Sequence, residues 1–326
     1  MIVTLIGLTV GALVVAMLLA PLETLGWWAG WYGEELDDQT RPPVTQSTPY
    51  RTFGPTGQSF RRHYVVFLDG IAKVGDINYD DVQGILGDLS RRMPTATVLG
   101  DVMPYSVTNR GLLSGRPLAR FWRLAFRLKV EGRAPLINFM INMRNMFQVF
   151  VAADSRYGPI FGQGEAHAIL ISLLRQGFNP DEEAPVTLIG YSGGAQVALT
   201  AAPYLRGSVR GPLNVISLAG VMANSNGLQY IEHMWHLQGS KDIVPNIAAV
   251  ISPGRWKVFP GSYWNRMHQE GRYTYVQLPA ITHSGNGSYL DADATVGDKS
   301  AREHTTDVLV SILREIEQEH RIAESD

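Results

Sequence analysis

Residues 186–202 read VTLIGYSGGAQVALTAA, an apolar run, a turn bounded by glycines, and then a stretch of small and apolar residues. The run predicts a buried strand, and the alanine-rich stretch predicts a helix directly after the turn. The turn, Gly190-Tyr191-Ser192-Gly193-Gly194, matches the pattern G-x-S-x-G. In a strand–turn–helix context this pattern predicts a nucleophile elbow, with a strained Ser192 aimed at the helix N-terminus.

The same turn has an alternative interpretation as the glycine-rich strand–helix turn of a nucleotide-binding fold. That fold would carry its glycines after the first strand and an acidic residue about 20 positions later. Because Ser192 follows the third predicted strand and not the first, its context favours the elbow.

Apolar runs and helical patterns alternate on both sides of this motif. Six runs are β-branched, apolar on both faces and bounded by Gly, Pro or Asp, as in buried parallel strands. They are 64–69, 95–100, 185–190, 213–219, 233–238 and 273–279. Helical patterns lie between or after them at 79–92, 161–176, 194–206 and 298–320. Because such crossovers are right-handed, we predict an α/β fold with a doubly wound, mostly parallel sheet.

Composition excludes several classes of protein. The 326 residues are 45% hydrophobic and 18% charged, which excludes a disordered chain. A net charge of -2 argues against a nucleic-acid partner. The chain has no cysteine, hence no disulfide, no thiolate nucleophile and no cysteine-based metal site. We expect no metal and no cofactor.

On the basis of this predicted elbow, the chain resembles the α/β-hydrolase superfamily over about residues 60–320. The resemblance implies a Ser-Asp-His order of catalytic residues, in which a carboxylate orients the histidine that activates the serine. Asp242 follows the strand at 233–238 and a Gly-Ser turn, in a loop similar to the superfamily's G-x-x-D-x-x-V-P loop but one residue shorter. An ordinary surface-turn Asp is the alternative interpretation.

The resemblance places the base on a loop after the last strand, where His283 lies four residues past Pro279. His233 and His236 are spaced i and i+3 in a strand, point to opposite faces and make a poor metal pair. His304 falls inside the last predicted helix. The expected triad is therefore Ser192, Asp242 and His283.

The resemblance also implies an oxyanion hole made of two backbone N–H groups. One donor is expected from Gly193, directly after the nucleophile. The other is expected from Ile71, in the loop Asp69-Gly70-Ile71-Ala72 after the first strand. Many relatives have His-Gly where this chain has Asp69-Gly70, so Asp69 is an alternative brace for that loop.

Residues 1–22 contain no charged side chain. As a helix, Ile2 to Ala20 would span about 28 Å, close to a bilayer's hydrocarbon thickness. We predict a single-pass transmembrane anchor at 1–22, with a cleaved signal peptide or a buried core helix as alternatives. Residues 23–62 then form an aromatic juxtamembrane segment and linker, with Trp27, Trp28, Trp31 and Tyr32 in an aromatic belt. We expect the globular domain to lie outside the cytoplasm.

A long insert interrupts the hydrolase domain, 63–326, at about residues 102–160. It carries nine basic and two acidic residues. Residues 136–151, rich in Met and Phe, suit an apolar acyl-binding wall, or simple packing on the sheet. Four arginines spaced along one helical face suit anionic lipid headgroups, or a solvated face. They are Arg116, Arg120, Arg123 and Arg127.

These features together predict a membrane-anchored serine hydrolase of esterase or lipase type, with the lipid bilayer as a partner. Its substrate is expected to be a carboxylic ester, either a small molecule or a lipid-like acyl ester. A thioesterase, amidase or acyltransferase with the same triad is the alternative within enzymes. A non-catalytic, membrane-tethered binding module with this fold is the alternative outside them.

Overall fold

The structure, a computed structural model, describes residues 63–70, 76–102 and 158–323, together with Gly11 and Ala153. The expected anchor and linker at 1–62, Ile71, and nearly all of the insert lie outside the described residues. None of the described helices is both long enough and apolar enough to span a membrane.

The described residues form one central sheet. Its strands are β1 (His63–Leu68), β2 (Ala96–Leu99), β3 (Val186–Tyr191), β4 (Leu213–Leu218), β5 (Met234–Gly239) and β6 (Tyr273–Leu278). All neighbouring strands are parallel, in the order β2-β1-β3-β4-β5-β6. The prediction of a parallel sheet is confirmed, and each predicted strand lies within one residue of its observed bounds.

The chain order reverses between β1 and β3, because the chain goes from β1 outward to β2 and returns on the other side of β1. Ligands of open parallel sheets bind where the order reverses, beyond the carboxyl ends of the strands. At this edge the residues that follow β1 and β3 are Asp69 and Ser192.

Helices cover both faces of the sheet. They are α1 (Asp76–Arg92), α2 (Gly158–Arg175), α3 (Gly193–Leu205), α4 (Val244–Ile251), α5 (Tyr263–Gln269) and α6 (Ala301–Ala323). Tyr64, Val66 and Leu68 of β1 pack with α2 and α3, whereas Val65 and Phe67 pack with α1 and α6. This alternation along one strand is what a doubly wound sheet requires, and it explains why both faces of β1 are apolar.

The structure corrects three local expectations. The last strand was expected to be apolar on both faces, but β6 is an edge strand and Tyr275 is 49% exposed. The last helix begins at Ala301 rather than 298, since a hairpin of β7 (Thr295–Val296) and β8 (Lys299–Ser300) precedes it. Helices α4 and α5 were not predicted, because eight and seven residues are too few for a clear periodic pattern.

Candidate active site

Ser192 occupies the turn between β3 and α3, with φ 52° and ψ −118°. Positive φ is uncommon outside glycine and costs on the order of 1–3 kcal/mol, so surrounding contacts must hold it. The Ser192 N–H donates to the carbonyl of Leu218 at 2.8 Å, and its own carbonyl accepts from Val221 N–H at 3.2 Å. Its hydroxyl makes no capping hydrogen bond to α3.

Two of the motif glycines are required by close backbone approach. A Cβ on Gly190 would lie 2.4 Å from Ala195 Cα, where the strand meets the first turn of α3. A Cβ on Gly194 would lie 2.3 Å from the carbonyl oxygen of Leu68, where α3 crosses the end of β1. The absence of a side chain at both glycines therefore lets the helix pack closely against the sheet, as the motif predicts.

His283 meets Ser192 across the carboxyl edge of the sheet. Its Nε2 lies 3.1 Å from Ser192 Oγ. The Tyr191 hydroxyl donates to the carbonyl of His283 at 2.7 Å, and the Tyr191 ring stacks on the imidazole at 6.3 Å between centroids. The residue beside the candidate nucleophile therefore also holds the histidine loop.

Asp242 completes a continuous hydrogen-bonded line. Its Oδ2 lies 2.9 Å from His283 Nδ1, and its Oδ1 accepts from Val244 N–H at 2.9 Å. The Asp242 side chain is fully buried, whereas 20% of the His283 side chain is exposed. The arrangement can pass a proton between Ser192 and His283 while a buried carboxylate orients the imidazole.

Tyr289 was missed by the sequence analysis. Its hydroxyl donates to Asp242 Oδ2 at 2.8 Å and accepts from Gly239 N–H at 2.7 Å. Burial raises the pKa of Tyr289 well above its usual range, so the hydroxyl stays protonated and remains a donor. No local pattern marks this residue; its position six residues after His283 is the sole clue in the sequence.

The loop after β1 reaches the candidate nucleophile. A Cβ on Gly70 would lie 3.1 Å from Ser192 Cβ. The Gly70 N–H donates to Asp69 Oδ1 at 2.7 Å, which agrees with Asp69 as a brace of this loop. Gly193 is the first residue of α3, directly after Ser192. The other expected oxyanion donor, Ile71, lies outside the described residues.

Three other histidines, His233, His236 and His304, contact neighbouring hydroxyl or carbonyl groups. His236 Nδ1 lies 2.9 Å from the hydroxyl of Ser217 in the buried sheet. Burial, and then the charge of Arg255, lower the pKa of His236 to about 4, so it is neutral near pH 7. His304 contacts the carbonyl of Val296, and His233 contacts Thr274. Within the described ranges, no three His, Asp or Glu side chains cluster closely enough to hold a metal ion.

Searches against protein-family models and curated protein sequences found no match for this chain. Among solved structures, it is similar to a predicted CIB-like hydrolase from Thermoplasma acidophilum at 11% identity and a TM-score of 0.37, covering 79% of this chain and 89% of that one. It is also similar to an arylesterase at 12% identity and a TM-score of 0.37, covering 90% of this chain and 98% of that one. At these values neither likeness carries an argument about function.

The fold assignment comes from the chain's own geometry. The strand order, the glycine-bounded turn after β3, and the positions of Asp242 and His283 after β5 and β6 all match the expected arrangement. The described part of the chain has an α/β fold whose parallel sheet fits that of the α/β-hydrolases.

Proposed function

We propose that this protein is a serine hydrolase that cleaves carboxylic esters through an acyl-enzyme. The single observation that carries the proposal is the line of hydrogen bonds Ser192–His283–Asp242, with heavy-atom distances of 3.1 and 2.9 Å. Nucleophile, base and orienting acid thus lie within the range that general-base activation of a serine requires.

In the acylation step, Ser192 Oγ attacks the ester carbonyl carbon while His283 Nε2 takes the hydroxyl proton. The tetrahedral intermediate collapses, and the same Nε2 returns that proton to the departing alkoxide. Water then attacks the acyl-enzyme with His283 as base, which releases the carboxylic acid and restores Ser192. The Asp242 carboxylate stabilises the imidazolium that forms in each half-reaction.

The oxyanion of each tetrahedral intermediate would bind backbone N–H groups at the start of α3 and in the loop after β1. The proximity of Gly70 to Ser192 supports a role for that loop. The proposed donors are the backbone N–H groups of Gly193 and Ile71. Removing one such donor typically costs about 2.7–4 kcal/mol of transition-state stabilisation.

The proposed substrate is lipid-like, an ester with an apolar acyl chain presented at a membrane. The support is the uncharged run at 1–22, together with the Met- and Phe-rich stretch and the four arginines of the insert. The domain limits 1–22, 23–62 and 63–326 are part of the same proposal.

A fluorophosphonate probe tests the nucleophile. Full-length protein should be labelled, and Ser192→Ala should lose labelling altogether. Ser217→Ala is a matched control, because Ser217 forms the other described serine–histidine pair but lies buried within the sheet. Equal labelling of wild type and Ser192→Ala would contradict the proposal.

A substrate panel separates the possible reactions of the same triad. Esters of increasing acyl length, acyl thioesters and peptide amides should be compared for kcat/KM at one pH. We expect the highest values for esters with apolar acyl chains, and inactivity on every ester would favour a thioesterase, amidase or acyltransferase.

A further inference from the structure

A concentration of exposed apolar side chains begins one residue after Asp242. We call it the rim patch. Seven of the twelve exposed large hydrophobic residues in the described part of the chain fall within residues 243–259, so the concentration is local. The patch consists of Ile243, Ile247, Val250, Ile251, Trp256, Val258 and Phe259.

Helix α4 is amphipathic, and its larger apolar face is exposed. Ile243, Ile247, Val250 and Ile251 lie within an arc of about 100° of the helix surface. Pro245 and Ala248 on the other side are buried, so the helix is held by its narrow small-residue face. The broad aliphatic face is left to solvent, and Val250 is 70% exposed.

The segment after α4 extends the same surface. The Trp256 indole N–H donates to the carbonyl of Ala249 at 2.9 Å, which ties this segment to the end of α4. The rings of Trp256 and Phe259 lie 6.4 Å apart, and the Asn265 side chain donates to both backbone carbonyls. Hydrogen bonds and ring packing therefore hold the rim patch together as one continuous apolar surface, unlike singly scattered exposed residues.

The charged side chains within the segment that carries the rim patch are all basic. Lys241 and Lys257 are exposed at its borders. From residue 243 to residue 269 the sequence contains no acidic residue, although the whole chain has a net charge of -2. Aliphatic and aromatic side chains bordered by lysines are typical of surfaces that rest on anionic bilayers.

The position of the rim patch relates it to the candidate active site. Strand β5 delivers Asp242 to the carboxyl edge of the sheet, and α4 begins two residues later. Ser192 directly follows β3 at the same edge. A bilayer lying against the rim patch would therefore face the edge of the sheet at which His283 is open to solvent.

We propose that the rim patch is the surface through which the globular domain lies on an anionic lipid bilayer. The proposal rests on the proposed function and extends it, because it states how a membrane-borne ester reaches Ser192. The apolar side chains enter the boundary between headgroups and acyl chains, and the two lysines bind phosphate groups of the lipids.

Depth-dependent fluorescence quenching tests the proposal in the full chain. Since the chain has no cysteine, Val250→Cys, Val258→Cys and Leu174→Cys each carry one environment-sensitive label. Leu174 is the matched control, an exposed leucine at the far end of α2. The labelled proteins are reconstituted into phosphatidylglycerol vesicles that contain brominated lipids.

We expect labels at 250 and 258 to be quenched at least about twofold more than the label at 174, because only the rim patch reaches the acyl boundary. In the Val250→Cys background, Lys257→Gln should lower the ratio of docked to undocked protein about fivefold. The effect of Lys257→Gln should disappear in phosphatidylcholine vesicles. Thermal unfolding of each variant verifies folding, and two rim positions guard against one failed variant.

Equal quenching at 250, 258 and 174 would overturn the proposal. So would self-quenching between labelled copies without quenching by lipid, which would show that a second copy covers the rim patch. Labelling of Ser192 by the fluorophosphonate is read separately from docking. A failure of the hydrolase proposal is thereby distinguished from a failure of the membrane surface.

Discussion

Asp242 Oδ2 accepts two hydrogen bonds, one from His283 Nδ1 and one from the Tyr289 hydroxyl. Its other oxygen accepts from the backbone of Val244, so the carboxylate has little freedom to rotate. Charge-assisted hydrogen bonds in a buried environment are stronger than neutral ones at a surface. Tyr289 is therefore a positioning residue, which acts through Asp242 and not on the substrate.

Tyr289→Phe removes this hydroxyl while keeping the ring. We expect kcat on a soluble ester to fall about tenfold with little change in KM, since a less ordered carboxylate orients His283 less well. Steady-state kinetics together with thermal unfolding check this. Tyr275→Phe, on the exposed face of β6, is the control and should match wild type. An unchanged kcat in Tyr289→Phe would rule out the positioning role.

At the level of elements, the site depends on how closely α3 approaches two strands. Helix α3 packs against β3 at Gly190 and against β1 at Gly194, and it begins at the residue after Ser192. Side chains at either glycine would push the helix away from the sheet and move Ser192 relative to His283. The strained turn is thus held by packing on both of its sides.

Gly194→Ala should destabilise the fold by on the order of 2 kcal/mol, because its Cβ would overlap the Leu68 carbonyl oxygen. Loss of fluorophosphonate labelling should accompany the loss of stability. Gly207→Ala is the matched control, since its Cβ meets nothing within 4 Å and should leave stability unchanged or slightly higher. Urea unfolding measures both, and equal stabilities would show that the close approach is not required.

At the scale of the whole molecule, Glu165 differs from the buried Asp69 and Asp242, whose carboxylates both accept hydrogen bonds. Glu165 of α2 is 8% exposed, and within the described residues its carboxyl forms no hydrogen bond or ion pair. Burial raises the pKa of Glu165 from 4.5 to about 8. The folded protein therefore keeps a proton on Glu165 that the unfolded chain has released.

This difference makes stability depend on pH. Between about pH 4.5 and 8 the unfolded state binds fewer protons than the folded state at this site, so the free energy of unfolding falls as pH rises. Glu165→Gln should remove that decline and, above pH 8, stabilise the protein by on the order of 2 kcal/mol. Denaturant unfolding from pH 5 to pH 9 provides the measurement.

Glu315→Gln, at an exposed position of α6, is the control and should leave the pH profile of stability unchanged. If wild type and Glu165→Gln lose stability in parallel across this range, then Glu165 is not the group responsible.

Much of the fold was predictable because it depends on local pattern. Buried parallel strands are continuous apolar runs, and the glycines around Ser192 mark a turn whose geometry needs them, so β1 to β5 and α3 were readable from residues near in sequence. The resemblance to the α/β-hydrolases placed Asp242 and His283 in the loops after the fifth and sixth predicted strands. The short α4 and the hairpin before α6 were not, because each has too few residues to establish a period.

The sequence by itself determined the alternation of strands and helices, the G-x-S-x-G turn, and the absence of thiol chemistry. Only the tertiary structure decided that Ser192 and His283, 91 residues apart, lie within hydrogen-bonding distance, that Tyr289 holds Asp242, and that α4 turns its aliphatic face outward. The physical reason is that local backbone preferences act between residues near in sequence. Side-chain contacts and burial depend instead on which distant elements the sheet brings together.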